Sequence, residues 1–214
     1  MTERTLAVVS AGLSQPSSTR LLADKLATAT VARLADEGVT TAVVTYELRD
    51  YAQDIVNNML TGFANPRLEE MIEAVTSADG LIAVTPIFTT SYSGLFKTFF
   101  DVIDNRSLTD QPVLIGATAG TPRHSLALDY ALRPMFTYLH AVVVPTSVFA
   151  ASEDWGTGDS GGRIDSRVAT LPARIERAAG ELAALVARSD RSARVRDPFE
   201  LPAGFNPAGT FPSR

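Results

Sequence analysis

Short apolar runs, many of them rich in valine, alternate along this chain with longer stretches of mixed polarity. Such a run is apolar at nearly every position and does not alternate with polar residues. This is typical of strands in a parallel sheet that is covered on both faces. The pattern therefore predicts an α/β protein. The five predicted strands are Leu6–Val9, Thr40–Thr45, Gly80–Val84, Pro112–Gly116 and Ala141–Val144.

The stretches between the runs predict helices. Residues 18–37 place leucines at roughly helical spacing, and Pro66–Ser77 opens with a proline, which suits the start of a helix. Strands and helices alternate five times, which favours a doubly wound parallel sheet with helices on both faces. The remaining predicted helices are Ser93–Asp104, Ser125–Leu139 and Ser166–Ala187.

Two segments depart from this alternation. Residues 152–166 are rich in glycine, aspartate and serine and are interpreted as a long loop. Residues 191–214 are interpreted as an extended C-terminal tail after one domain of residues 1–190. We expect this tail to pack on a neighbouring subunit, because it carries the apolar residues Phe199, Leu201, Phe205 and Phe211.

Composition narrows the chemistry. The chain of 214 residues has no cysteine, which excludes disulfides, thiolate metal sites and a cysteine nucleophile. Its only histidines, His124 and His140, make a metal site unexpected. The formal net charge of -5 argues against a nucleic-acid or anionic-membrane surface. Since no apolar run is long enough for a signal peptide or a membrane span, we expect a cytoplasmic protein.

Ligands of open parallel sheets bind beyond the carboxyl ends of the strands, so the loops at those ends are the candidate site. The first loop, Ser10–Thr19, sets several hydroxyls before a helix, whose N-terminus favours an anion. It lacks Gly-Lys-Ser/Thr and has a single glycine, which excludes a P-loop and a dinucleotide fingerprint. It predicts a site for a phosphomonoester. The alternative is that Ser17 or Ser18 only caps the helix.

The second loop suits a flat heterocycle, and the third suits close approach of a ligand. The second, Thr85–Gly94, offers polar backbone groups beside Phe88 and Tyr92. The third, residues 117–124, is built of small residues that let the backbone approach a ligand closely. His124 in this loop is interpreted as a residue of a helix start.

The three loops together resemble the NADPH-dependent FMN reductase family of flavodoxin-like proteins. The resemblance is to its two-component branch above all, whose members supply reduced FMN to a partner monooxygenase. The most specific feature is Thr-Pro-aliphatic-aromatic followed by Ser-x-Ser-Gly-x-x-Lys. The carrying segments are SAGLSQPSSTRLLADKL, ADGLIAVTPIFTTSYSGLFKTFFDVID and IGATAGTPRHSLALDYALRPMFTYLHA. The resemblance implies a five-stranded flavodoxin-like sheet with strand order 2-1-3-4-5.

The resemblance also implies an FMN site built from all three loops. The phosphate would be surrounded by Ser10, Gly12, Ser17, Ser18 and Thr19. The isoalloxazine and ribityl region would meet Pro86, Ile87, Phe88 and Thr89, with Ser91 and Ser93 nearby. The third loop would border the ring with Thr118, Ala119, Gly120 and Thr121. Leu13 and Ser14 stand where family members often carry an arginine, which favours FMN that is held loosely, as a substrate.

Tyr130 carries a further implication. In the two-component branch, a tyrosine of this helix sits in an insertion that makes a π-bulge at a subunit interface. The alternative is an ordinary interface or core tyrosine. We expect a homodimer or homotetramer, because the flavin site of such folds is shallow and the apolar tail needs a surface.

The implied function is reduction of FMN by NADPH or NADH, with reduced FMN passing to a flavin-dependent monooxygenase. Hydride transfer needs no side-chain acid or base, so no catalytic residue is predicted. One alternative is a quinone or azo reductase that retains its FMN. Another is a non-catalytic electron-transfer module, in which Trp155 would stack on the flavin; otherwise Trp155 anchors its loop. The sequence leaves open the choice of NADPH or NADH.

Overall fold

A computed structural model describes residues 2–155, 169–189 and 191 of the chain. Its strands are β1 (Thr2–Ser10), β2 (Val39–Glu47), β3 (Gly80–Phe88), β4 (Ser91–Tyr92), β5 (Pro112–Ala119), β6 (Val142–Val143) and β7 (Val148–Ala151). Its α-helices are α1 (Ser18–Asp36), α2 (Ala52–Thr61), α3 (Pro66–Ser77), α4 (Gly94–Asp101), α5 (Arg133–Tyr138) and α6 (Leu171–Val186). Between β5 and α5 lies a π-helix, Leu128–Leu132.

The strands form a parallel sheet in the order β2-β1-β3-β5, and both β6 and β7 pair with β5. This confirms the predicted order 2-1-3-4-5. The fifth predicted strand, Ala141–Val144, is wrong in its extent. Two short strands, β6 and β7, pair with β5 where one strand was predicted. Pro145 follows the predicted strand and has no N–H to donate to a ladder. The guanidinium of Arg133 donates to the carbonyl oxygens of Val144 and Pro145 instead.

Alternate residues of each central strand feed two hydrophobic layers. In β1, Leu6 and Val8 belong to the layer that packs under α1 and α6, whereas Ala7 and Val9 belong to the layer under α3, α4 and α5. The central strand β3 is buried from Gly80 to Ile87. Burial on both faces explains the near-continuous apolar runs of the sequence.

The helices agree with the sequence-based prediction in position more than in extent. Helix α3 has the predicted bounds, and its start is capped by Asn65, whose side chain accepts from the N–H of Leu68. The predicted helix Ser93–Asp104 ends earlier, at Asp101. The predicted helix Ser125–Leu139 is wrong as one regular helix, since a π-helix and α5 share it. Helix α6 begins at Leu171, and 156–168 of the predicted loop and helix lie outside the described residues.

Helix α2 is absent from the sequence-based prediction. Its apolar residues Ile55, Val56, Met59 and Leu60 recur at helical spacing on one face, but only Ile55 is buried and the other three are exposed. It lies between a 3₁₀ turn, Leu48–Tyr51, and Gly62, which ends it with a φ of +78°. It therefore takes its place from the tertiary structure.

The C-terminal tail predicted over 191–214 lies, apart from Arg191, outside the described residues, so its packing stays a prediction. Arg191 is buried and donates to the carbonyl oxygens of Thr76 and Thr109, at 2.7 and 3.1 Å. Burial lowers the pKa of its guanidinium below the ordinary value.

Within the described ranges, no helix is long and apolar enough to cross a bilayer.

Candidate functional site

A cleft of about 390 Å³ lies at the carboxyl edge of the sheet, where the ends of β1, β3 and β5 converge. Ten of the fifteen residues implied by the resemblance line it. They are Gly12, Ser17, Ser18, Thr19, Pro86, Ile87, Phe88, Thr118, Ala119 and Gly120. Four further residues complete the lining: Leu13, Ser14, Ser152 and Trp155. The structure thus brings the three predicted loops together in one site.

The β1–α1 loop presents a helix N-terminus to the cleft. The Ser17 side chain caps α1 by accepting from the backbone N–H of Arg20 at 3.2 Å, and it also lines the cleft. Ser17 is therefore a helix cap that also lies in the cleft lining, and its role in binding a ligand stays a prediction. The first turn of α1 contains no acidic residue, so nothing on the helix itself opposes an anion at its positive end.

Gly12 is required by the shape of this loop. A Cβ at this position would lie 2.0 Å from Ser17 Oγ, 3.1 Å from Ser17 Cβ and 3.2 Å from Thr19 Cβ. The glycine allows the backbone to pass directly beneath the hydroxyls that follow it. The site therefore depends on a missing side chain as much as on those present.

Ser10 does not line the cleft, but it lies beneath it. It is fully buried at the end of β1, on the face of Leu6 and Val8 that packs under α1. Its hydroxyl has no hydrogen-bond partner among the described residues. Because buried polar groups are nearly always paired, this orphan hydroxyl fits a site that takes a polar ligand.

A buried hydrogen bond joins the first loop to the third. Thr19 Oγ1 and Thr118 Oγ1 lie 2.8 Å apart, between the first turn of α1 and the end of β5. Both residues line the cleft. The pair therefore fixes the distance between two of its walls.

The second loop is a β-hairpin whose turn is strained. Phe88 pairs with Ser91, and the two residues between them, Thr89 and Thr90, have φ values of +48° and +70°. Two positive φ values match the twist of a two-residue hairpin turn. β-Branched residues rarely adopt them, so the surrounding structure imposes this conformation.

Four of the implied residues lie away from the cleft lining. Ser93 caps α4 by accepting from the N–H of Phe96, and its own N–H donates to Thr85 Oγ1. Ser91 pairs in the hairpin, and Thr89 lies exposed at its turn. Thr121 caps the 3₁₀ turn Pro122–His124 by accepting from the N–H of Arg123. These residues therefore belong to the same loops as the residues that line the cleft, where they form turns and caps.

Two arginines flank the β1–α1 loop, one from α1 and one from the end of β2. Arg20, in the first turn of α1, is held by Asp24 and Glu47 at 2.8 and 3.0 Å. The hydrogen bond to Asp24 raises the pKa of Arg20. Arg49, which the sequence interpretation missed, reaches the first loop from the end of β2, and its Nη1 donates to the carbonyl oxygen of Ser14 at 3.0 Å. No motif marks Arg49, because the pairing of β2 with β1 brings it there.

Trp155 anchors the end of its 3₁₀ turn to the core and also lines the cleft. It is half-buried, packs against the core beneath α1 and α6, and lines the cleft. The preceding Asp154 stabilises its turn by accepting from the N–H of Ala151 at 2.8 Å and pairing with Arg174 at 2.6 Å.

The π-helix implied by the resemblance is present, with Tyr130 at its centre. Pro134 follows in the first turn of α5 and removes one helical N–H. Tyr130 is 79% exposed, which argues against a core role within one chain. Such helical irregularities are frequent at functional sites.

A sequence profile of the NADPH-dependent FMN reductase family matches residues 4–156 of the chain. The FMN reductase (NADPH) of Pseudomonas aeruginosa is 36% identical over 148 residues, which cover 69% of this chain and 76% of that protein. The NADH-dependent FMN reductase SfnE of Pseudomonas putida is 35% identical over 171 residues, covering 80% and 86%. A solved oxidoreductase structure from Corynebacterium diphtheriae is 50% identical, with a TM-score of 0.80 and coverage of 87% and 98%.

Proposed function

Since the chain belongs to the NADPH-dependent FMN reductase family, we propose that its three-loop cleft binds FMN and that its reduced product passes to a flavin-dependent monooxygenase. The chain is an oxidoreductase that reduces FMN with NADPH or NADH. Membership of a family of enzymes sets aside the non-catalytic electron-transfer module. The observation that carries the binding proposal is the convergence of ten implied residues in one cleft.

The residues of the cleft suit the two ends of FMN. At the phosphate end, Ser17, Ser18 and Thr19 offer hydroxyls beside the free N–H groups of α1. At the ring end, the cleft is lined by Pro86–Phe88 from the second loop and by residues 118–120 from the third. The orphan hydroxyl of Ser10 lies below the phosphate end.

In hydride transfer between a nicotinamide and FMN, the residues of the cleft would position the two reactants. Bound FMN supplies the ring that accepts hydride from the nicotinamide. Among the described residues that line the cleft, none has an ionisable side chain. The chain therefore contributes shape, hydrogen-bond donors and exclusion of water, and we assign no general acid or base.

The phosphate loop favours exchange of FMN over retention. Leu13 and Ser14, where family members often carry an arginine, line the cleft with an apolar and a neutral side chain. The phosphate charge is then met by hydroxyls and the helix dipole, which screen it less than a bidentate guanidinium does. Loose binding suits an enzyme that takes up FMN, reduces it and releases it to a monooxygenase. A reductase of quinones or azo compounds would hold its FMN instead.

The decisive experiment mixes the protein with FMN and either nicotinamide under anaerobic conditions. We expect the flavin absorbance to bleach over many turnovers with FMN in excess of protein, and a colourless protein after gel filtration. FAD and a quinone serve as competing acceptors. Absence of bleaching with both nicotinamides would contradict the activity. A yellow protein that reduces quinones in preference to added FMN would support the retained-flavin alternative.

We also propose that the π-helix lies at a subunit interface of a homodimer or homotetramer. Tyr130 and Leu126 are 79% and 63% exposed, and apolar groups of this size are covered when subunits associate. Replacing Tyr130 by alanine should shift the protein to a smaller species in analytical ultracentrifugation. Tyr130→Phe keeps the ring and should leave the assembly intact. An unchanged mass for Tyr130→Ala would remove the π-helix from the interface.

A further inference from the structure

Arg49 reaches from one strand end into the loop of another. It lies in the 3₁₀ turn that follows β2, and only 16% of its side chain is exposed. Its Nη1 donates to the carbonyl oxygen of Ser14 at 3.0 Å. With its amide oxygen turned toward the guanidinium, Gln15 accepts from the same nitrogen at 3.2 Å. These two residues, Ser14 and Gln15, form an arch in the β1–α1 loop, and Arg49 ties this arch to the end of β2.

One carboxylate orders the arginines on both sides of this arch. Glu47, the last residue of β2, accepts from Arg20 Nη1 through Oε1 at 3.0 Å and pairs with Arg49 Nη2 through Oε2 at 2.9 Å. It lies beside Ser10 in the ladder of β1 and β2. Arg20 belongs to the first turn of α1, so the network clamps both the arch and the helix that follows it.

The clamped segment leads directly to the hydroxyls of the cleft. Ser14 Oγ donates to the carbonyl oxygen of Pro16 at 3.0 Å, and the next residue, Ser17, caps α1. At the other end, the N–H of Ala11 donates to the carbonyl oxygen of Val84 at 2.9 Å. The arch between these two points is held from outside by Arg49, whose charge is met by Glu47 Oε2 at 2.9 Å.

We propose that Arg49 is the positioning residue for the phosphate of FMN. It acts through the Ser14–Gln15 arch, which it holds so that Ser17, Ser18 and Thr19 face the cleft. Its own charge is met by Glu47, so it acts through the geometry of the arch and not by contact with the phosphate. This inference rests on the proposed FMN site and adds to it a determinant for flavins that carry a phosphate.

Riboflavin separates this role from a merely structural one, because it has the same ring and ribityl chain as FMN but no phosphate. In Arg49→Gln we expect the KM for FMN to rise about tenfold or more, as for the loss of a charge-assisted contact. The kcat for FMN and the KM for riboflavin should stay near their wild-type values. A general loosening of the fold would instead raise both KM values together.

Two further variants sharpen the comparison. Arg49→Lys keeps the charge but not the planar fork that serves Ser14 and Glu47 at once, so its FMN preference should fall between those of wild type and Arg49→Gln. Arg33→Gln removes the same charge from α1, where Arg33 forms an exposed ion pair with Glu176 of α6. It should leave both KM values unchanged. If Arg49→Gln does not fold, as judged by circular dichroism, Arg49→Lys decides the test.

The outcomes separate this inference from the proposed function. A wild-type protein that reduces neither FMN nor riboflavin would contradict the function itself. A wild type that reduces both, with Arg49→Gln retaining the wild-type ratio of the two KM values, would overturn the role of Arg49 alone. A selective loss of the preference for FMN supports it.

Discussion

Replacing Gly12 by alanine should weaken FMN binding by about ten- to a hundredfold, the range expected when hydrogen bonds to a charged group are lost. The new Cβ would lie 2.0 Å from Ser17 Oγ, so that hydroxyl must rotate away and give up its cap on the N–H of Arg20. Contacts of 3.1 and 3.2 Å to the Cβ atoms of Ser17 and Thr19 push the loop outward as well. The hydroxyls and the helix N-terminus then no longer meet the phosphate together.

Trp155 provides the measurement, because it is the only tryptophan of the chain and lines the cleft. Titration with FMN should quench its fluorescence and yield a Kd for each variant. Gly180→Ala is the matched control, since a Cβ at this position in α6 has no atom within 4 Å. It should bind FMN like the wild type. An unchanged Kd for Gly12→Ala would show that the phosphate does not bind beside Ser17 and Thr19.

Replacing Phe96 by alanine should lower the free energy of unfolding by about 3–5 kcal/mol, the usual cost of removing a buried phenylalanine. Phe96 is fully buried in α4 and contacts Tyr92 of the β3–β4 hairpin. Its ring centroid lies 4.8 Å from that of Phe100, 6.2 Å from Tyr92 and 6.3 Å from Phe136. A cavity at this position removes contacts from the hairpin, from α4 and from α5 at once.

Phe63→Ala is the matched control, because it removes the same ring from a side chain that is 81% exposed. Its free energy of unfolding should stay within about 0.5 kcal/mol of the wild type, as for most surface substitutions. Urea denaturation followed by circular dichroism measures both. Similar losses for the two variants would contradict the assignment of Phe96 to the core and of Phe63 to the surface.

Sequence reasoning located the site because parallel strands end at a common edge. Once the runs ending near Val9, Val84 and Gly116 are taken as neighbouring parallel strands, their loops must meet, and the unusual composition of each loop marks it for binding. Gly12, Ser17 and Phe88 follow from this logic, and all three line the cleft. The FMN assignment came from the resemblance.

Sequence reasoning could not separate the lining of the cleft from its framework. Ser91, Ser93 and Thr121 lie in the same loops as the lining residues, but their side chains or backbones close turns and cap helices. Hydroxyl residues serve caps and ligands equally well, so residue type alone does not decide between the two roles. Helix α2 was missed for a different reason: no element was predicted between β2 and α3, although Ile55, Val56, Met59 and Leu60 recur there at helical spacing.

The sequence by itself determined the α/β class, the parallel sheet and the edge on which the site lies. These features depend on the local period of apolar residues and on the rule that crossovers are right-handed. The tertiary structure alone decided which hydroxyls line the cleft, that Thr19 meets Thr118, and that Arg49 and Glu47 brace the β1–α1 loop. These contacts join residues far apart in the chain, and their geometry is set by the packing of separate strands and helices, which no local pattern records.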